Sequence, residues 1–476
     1  MLNISIEEII KITEGKIVNG NTDAVVHNIS LDTRTLKKDD FFIAIEGENF
    51  DGHNFIYEAI KKGAMGCLVD ITKLTKLKAE LKKKGMSEFP ENFIVVKVDN
   101  TLRSFGVIAG FYRQRFNIKV IAITGSNGKT TTKELIYALL RTKYKEDEIL
   151  KTEKNFNNEI GVPLTLLKLN PKIKVLVAEL GINHIGEMQR LASMTAPDYA
   201  IITNIGDTHL EFLKNDKIVA KAKGEILPYI KDTLILNFDD KYFNYYSNIF
   251  DGKIVAYTLN TEVNLENVNH FDEYTFLADN GWDVVYKGVK FHYKLLGEHN
   301  LYNLLSALTG ASFFTDDIKK FKKVIENFKP IENRGNLIKT KDFSIYFDAY
   351  NANPTSVKAM VYFLNLFNIE HKIPVLGDMM ELGKKDMKHH TEVINYVTEN
   401  FEFDKVLTYG NTYKRVYKER MVDKKKIEPF LDMEKLAARM KEYIKEFKGN
   451  IIFLIKGSRK MEMEKLLKLL GVKSEK

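Results

Sequence analysis

Residues 121–140 read IAITGSNGKTTTKELIYALL, and this stretch decides the fold. The apolar run at 120–123 reads as a buried strand. Thr124, Gly125, Ser126, Asn127 and Gly128 make a tight turn. Lys129 then opens a helix whose apolar positions Leu135, Ile136, Leu139 and Leu140 recur at helical spacing. A strand, a glycine turn and a helix N-terminus form an anion cradle. Glycine lets the backbone approach phosphate, free N–H groups face it, and the helix dipole favours negative charge. Lys129 adds a cation for the terminal phosphates and Thr130 a hydroxyl ligand for Mg²⁺, with Thr131 following in the same turn. The general phosphate-loop spacing G-x-x-x-x-G-K-[ST] is not met, because Ile123 stands where the first glycine belongs. The shorter loop still predicts an ATP site.

A chain of 476 residues exceeds one ordinary core, so three domains are expected. Hydrophobic residues at 44% and charged residues at 29% describe a globular protein in water. No run approaches the roughly 20 apolar residues of a membrane span, and the N-terminal stretch has no signal-peptide pattern. The single cysteine, Cys67, excludes an internal disulfide framework, fits a reducing cytoplasm and sits in an apolar run that makes it a core residue. The net charge of +8 comes from lysines spread in mixed runs. Clustered basic stripes with interleaved aromatics would mark a nucleic-acid binder, so none is expected as a partner.

The fold class is α/β, in three domains. Residues 1–100 read as a small N-terminal α/β domain, in which Asp32, Thr33 and Arg34 lie between elements as a site segment or a turn with a surface ion pair. A helix near 102–115 leads into a central domain, 101–330, built on a P-loop-type parallel sheet. Its apolar runs at 175–178 and 199–203 are strands that deliver Glu179, and then Asn204 and His209, to their carboxyl ends. Ligands bind beyond such ends, so Thr130, Glu179 and His209 converge on one crevice. Thr130 and Glu179 suit Mg²⁺, which prefers hard oxygen ligands; His209 alone reads as a structural histidine. The stretch 152–163, with Asn157 and Asn158, reads as an ordered loop. Lys221 reads as solvated helix surface. Residues 250–295 read as an edge or insertion without catalytic signal. Residues 331–476 read as a Rossmann-like α/β domain whose strand ends carry Asp348, Tyr350, Asn351 and Asn353, then the loop 377–383, then 456–459. Adjacent His389 and His390 read as wet surface.

Ten ordered segments, DTR with EGENFDGHNF, TGSNGKTTTKE, NFNNEIGVPLTLL, ELGINHIGEM, NIGDTHLEF, AKAKGEI, GEHNLYN, DAYNANPTS, LGDMMELG and KGSR, resemble the Mur ligase family of peptidoglycan synthesis. The N-terminal segments argue against the family's folate branch, whose chains begin near the ATP loop. The resemblance implies a first domain binding the UDP-sugar peptide, a central ATPase domain, and a third domain binding nucleotide and the incoming dipeptide. The implied substrates are UDP-N-acetylmuramoyl-tripeptide and D-alanyl-D-alanine, joined at the expense of ATP with two Mg²⁺ ions, in a cytoplasmic enzyme that is a monomer by family default. It assigns the phosphates to Lys129 and the loop amides of 125–131. The first Mg²⁺ falls to Thr130 and Glu179, and the second lies near His209. Lys223 matches the family's carbamylated lysine, with an unmodified phosphate-binding lysine as the alternative. Asn300 matches the adenine contact, and Arg334 and Asp348 match nucleotide contacts. Asp32, Thr33, Arg34, Asn157, Asn158, Tyr350, Asn351 and Asn353 are the implied substrate contacts. A nucleotide switch or motor domain is the rival from another class.

Overall fold

The computed structural model describes residues 2–47, 50–208, 210–329, 334–419 and 422–472. Its central sheet has seven parallel strands. Their order is Ile149–Lys151, Val175–Glu179, Lys119–Thr124, Tyr199–Ile202, Thr233–Asn237, Lys253–Tyr257 and Val268–Asn269. Strands buried on both faces read as unbroken apolar runs, and alternate residues feed opposite cores. Ile121 and Ile123 pack with Leu135, Ile136 and Leu139 of the helix Lys129–Leu140 and with Leu304, Leu305 and Leu308 of the helix Glu298–Ser312. Val120 and Ala122 face the other way, onto Phe105, Ile108, Leu166, Met188 and Leu191. These come from the helices Thr101–Gln114, Gly161–Leu166 and Glu187–Thr195.

The N-terminal sheet has five strands in the order Lys16–Asn19, Ile94–Val98, Gly66–Asp70, Phe41–Ile43 and Ile29–Ser30, with only the first pair antiparallel. Cys67 lies fully buried in it, and burial pushes its thiol pKa up, as befits an inert core residue. The C-terminal sheet has six strands in the order Asn336–Lys339, Ser344–Phe347, Ile451–Lys456, His371–Gly377, Val406–Tyr409 and Ile427–Phe430, again with only the first pair antiparallel. Helices Pro354–Asn365, Asp386–Asn400 and Asn411–Lys418 cover one face; Met433–Glu446 and Glu464–Leu469 cover the other.

The stretch 250–295, expected as an edge or insertion, is both: it supplies the strands Lys253–Tyr257 and Val268–Asn269 at one edge of the central sheet and then a three-stranded antiparallel sheet, Glu273–Phe276, Trp282–Tyr286 and Val289–Tyr293. It braces the third domain: Phe276 meets Phe363 edge-on, with ring centres 5.5 Å apart. Two local expectations are corrected. The loop expected over 152–163 gives way to helix at Gly161, because the Asn158 side-chain oxygen accepts the Ile160 and Gly161 N–H groups, 3.2 and 2.9 Å away. Pro163 is tolerated in that first turn, where its missing N–H has no intrahelical partner to lose. His390 is not wet surface but fully buried. Its Nε2 accepts the Met379 N–H at 2.9 Å while Nδ1 donates to Asp386, so the imidazole pins the loop after His371–Gly377.

Candidate active site

The phosphate loop takes its shape from two left-handed glycines, Gly125 at φ 142° and Gly128 at φ 84°. A Cβ on Gly125 would lie 1.9 Å from the Thr203 hydroxyl, and one on Gly128 would lie 2.2 Å from Asn303 Oδ1. The neighbouring strand end grips the loop. Ser126 N–H donates to the Asn204 carbonyl at 2.8 Å and Asn127 N–H to Asn204 Oδ1 at 3.0 Å. The Asn127 carbonyl accepts from the Thr203 hydroxyl at 2.6 Å and the Asn204 amide at 3.1 Å. The Ser126 hydroxyl accepts the Gly206 N–H at 2.8 Å. Gly128 precedes Lys129 without any side-chain cap, so the first-turn N–H groups of the helix stay available to an anion. The Lys129 ammonium bends back onto the carbonyls of Gly125 and Ser126, at 2.8 and 3.2 Å, and burial lowers its pKa against the pull of Glu179. Thr131 is buried behind it.

Glu179 ends its strand beside the loop, 2% exposed. Its Oε1 accepts the Thr130 hydroxyl at 3.1 Å and the Asn157 amide at 2.8 Å. Its Oε2 is buried and accepts no hydrogen bond from the described residues, although the Lys133 ammonium stands 3.4 Å away. A hydroxyl, a carboxylate and one open carboxylate oxygen are the hard donors Mg²⁺ takes alongside phosphate and water. Among the described residues no three His, Cys, Asp or Glu side chains gather as a metal cage. Lys223, on the helix Asp216–Gly224, is 1% exposed, and no hydrogen bond or ion pair engages its ammonium among the described residues. Burial, and then the charge of Lys129, push its pKa well down. Lys221 is exposed, as expected. His209 lies outside the described residues.

The third domain closes the crevice. Asn353 caps the helix Pro354–Asn365, its Oδ1 accepting the Ser356 N–H at 2.9 Å, and its amide donates to Asn127 Oδ1 at 2.9 Å. Asn351 Oδ1 accepts the Ala352 N–H, and its carbonyl accepts from the Lys456 ammonium at 3.1 Å. Lys456, 2% exposed, pairs with Asp348 at 2.6 Å and holds that carboxyl below its ordinary range against the opposing effect of burial. The Arg334 guanidinium stacks 3.8 Å over the Tyr350 ring, and its Nε is buried without a hydrogen-bond partner among the described residues. Buried Asn300 donates to the Leu296 carbonyl at 2.8 Å and accepts from the Asn303 amide at 3.0 Å. Its neighbour His299 is lowered to about 4, chiefly by burial.

Asp32, Thr33 and Arg34 stay apart from this cluster. Arg34 grips Asp32 through two guanidinium nitrogens, at 3.0 and 2.6 Å, and holds its carboxyl at about 2; buried Thr33 lends its carbonyl to Lys62 at 2.7 Å. Asn158 serves as the cap already described. A cavity of about 840 Å³ between the helices Thr101–Gln114 and Glu187–Thr195 is lined by none of these residues. Sequence reasoning missed Lys133, which lies four residues beyond Lys129 on the same helical face, and it missed Thr203 and Lys456, which sit inside recognised segments without an assigned part.

Loop, carboxylate and third domain together define a phosphate-binding crevice shared between two α/β domains. The Mur ligase middle domain profile matches residues 123–311, the Mur ligase glutamate ligase domain 333–459 and the Mur ligase family catalytic domain 25–113. The UDP-N-acetylmuramoyl-tripeptide–D-alanyl-D-alanine ligases of Bacillus subtilis and Escherichia coli are 32% and 31% identical, over 98% and 99% of both chains. The crystal structure of MurF from Acinetobacter baumannii superposes with a TM-score of 0.84 at 25% identity over 98% of each chain. The chain belongs to the Mur ligase family.

Proposed function

We infer that this enzyme joins D-alanyl-D-alanine to UDP-N-acetylmuramoyl-tripeptide, forming an amide, ADP and phosphate in peptidoglycan precursor synthesis. The observation that carries this reading is one crevice in which the phosphate loop, Glu179 and the Asn351–Asn353 segment of the third domain meet. The full-length relatives named above agree with it.

The chemistry follows from charge. The tripeptide carboxylate attacks the γ-phosphorus of ATP, anion against anion, and gives an acyl phosphate. Lys129 and the loop N–H groups hold the phosphates and offset that repulsion. Thr130 and Glu179 would hold Mg²⁺, which supplies further neutralisation of the phosphate charge. The dipeptide amine then attacks the acyl carbon, and phosphate leaves. Water would destroy the acyl phosphate, so the third domain has a reason to close through Asn353. Arg334 offers its Nε to the nucleotide, Asp348 acts beside it, and Asn300 lines the adenine side.

Lys223 fits carbamylation. Burial and the charge of Lys129 favour its neutral amine, the form that adds to carbon dioxide, forming an N–C bond and releasing a proton. The carbamate oxygens would then serve, with His209, a second Mg²⁺. The segment Asp32–Arg34 and Asn157 are assigned to the UDP-sugar peptide. Residues 1–100, 101–330 and 331–476 are proposed as the three working domains of a monomer. We propose a cytoplasmic enzyme, because a single cysteine in 476 residues fits a reducing compartment.

The test is phosphate release from ATP. It should require both the UDP-sugar tripeptide and D-alanyl-D-alanine, and single amino acids should not replace the dipeptide. Release indifferent to both substrates would sink the reading.

A further inference from the structure

The helix Lys129–Leu140 carries a second lysine that the mechanism does not use. Lys133 has no exposed surface. Its ammonium donates to the carbonyls of Thr152 and Lys154 at 2.9 and 3.3 Å, and it stands 3.2 Å from Glu134 Oε1 and 3.4 Å from Glu179 Oε2. Glu134 is already engaged by Lys151. Among the described residues Glu179 has no other cation in direct contact, and its Oε2 accepts no hydrogen bond. The Thr152 hydroxyl also accepts the Glu179 N–H at 3.0 Å, so one short segment ties lysine and carboxylate into a single unit.

We propose that Lys133 is the resident counter-ion of Glu179, and that it keeps a divalent cation off this carboxylate until phosphate arrives with it. The proposal rests on the reading of Glu179 as a metal ligand. Fastening the Thr152 and Lys154 carbonyls needs only N–H groups; a full charge 3.4 Å from a buried carboxylate does more. A buried carboxylate without a partner is costly, and a free divalent cation would satisfy it. With Lys133 in place the carboxylate is already balanced, and a metal entering alone meets the repulsion of Lys133 and Lys129 at low dielectric. Nucleotide brings its own negative charge, which removes that obstacle. Lys133 is thus a positioning residue that makes metal and nucleotide enter together.

The experiment measures Mn²⁺ binding to the nucleotide-free enzyme by electron paramagnetic resonance. Wild type and Lys133→Arg should bind Mn²⁺ weakly, and Lys133→Met should bind one ion per chain at least tenfold more tightly. Lys133→Gln keeps an N–H for the Thr152 carbonyl and should show the same gain, so it carries the test if Lys133→Met fails to fold. Adding Glu179→Gln to either should abolish the gain. A merely structural lysine would change thermal stability without creating a metal site. Tight Mn²⁺ binding by the wild type, or no gain in the folded neutral variant, overturns the proposal. Mn²⁺–ADP binding separates the underlying reading: if Glu179→Gln alone binds it as well as wild type, Glu179 is not a ligand and both ideas fall.

Discussion

Lys129 illustrates how a single side chain can be essential to chemistry and marginal to the fold. Among the described residues its ammonium hydrogen-bonds only to two carbonyls of the loop itself and ties no other element together. Lys129→Ala should therefore abolish turnover while leaving circular dichroism and melting temperature close to wild type; retained activity would remove the loop from the mechanism. Lys223 is the opposite case, buried and without a partner among the described residues. Loss of activity in Lys223→Ala should be partly restored by short-chain carboxylic acids, which return an oxygen ligand to the vacated space, and absence of rescue would count against the carbamate. His299 gives a pH signature. Its pKa falls from 6.5 to about 4 on folding, so between these values the unfolded chain holds more protons than the native one. Stability from this residue is full above 6.5 and is lost as pH falls toward 4. In His299→Gln, the melting temperature should decline less steeply over that window than in wild type.

At the scale of elements, the cap of one helix doubles as a bond to another domain. Asn353 Oδ1 caps Pro354–Asn365 and Asn353 Nδ2 reaches Asn127, so the two functions can be separated. Asn353→Asp keeps the capping oxygen but turns an acceptor toward Asn127 Oδ1. It should retain the wild-type melting temperature while catalytic efficiency drops about tenfold, or about 1.4 kcal/mol. Asn353→Ala should lose both, with about 1 kcal/mol of stability from the cap. Equal activity in the Asp variant and wild type would show that the contact is incidental. The strands behind these loops were legible in the sequence, because strands of a parallel sheet covered on both faces are unbroken apolar runs. The loop helix and the Thr130–Glu179 pairing were legible for the same reason: strand ends deliver residues to a common edge. Lys133 was not legible, since a lysine on a helix reads as solvated surface and its oxygen partners lie in segments far along the chain. His390 failed similarly. Adjacency showed that His389 and His390 point apart, but only the packed loop decides which of them turns inward.

The whole molecule brings the central and C-terminal sheets to one crevice, and its bracing contacts are apolar as well as polar. Beside the Asn353 bond, Phe276 packs on Phe363, and the Tyr346 hydroxyl donates to the Leu296 carbonyl at 3.3 Å. The third domain is therefore seated on the central one through the 273–293 sheet as well as at the loop. Phe363→Ala should loosen that seat without touching a nucleotide group: unfolding should lose cooperativity and KM for the dipeptide should rise more than kcat falls. The reverse pattern would place Phe363 nearer the chemistry than its neighbours suggest.

The order of strands in the central sheet has a consequence for how the enzyme is made. The strand Lys119–Thr124 is among the first of its sheet to be synthesised, yet it lies between Val175–Glu179 and Tyr199–Ile202. Thr203, Asn204 and Gly206, which fasten the loop, leave the ribosome some eighty residues after it, and Asn303, against Gly128, leaves later still. Pairings between such distant segments form slowly. A nascent chain stalled just after Asp198 should leave the loop open to protease even with ATP present, whereas one extended beyond Ser312 should be protected. Nucleotide binding is then a late event in translation, and until Tyr199–Ile202 has been made one edge of the apolar strand Lys119–Thr124 stands without its neighbour.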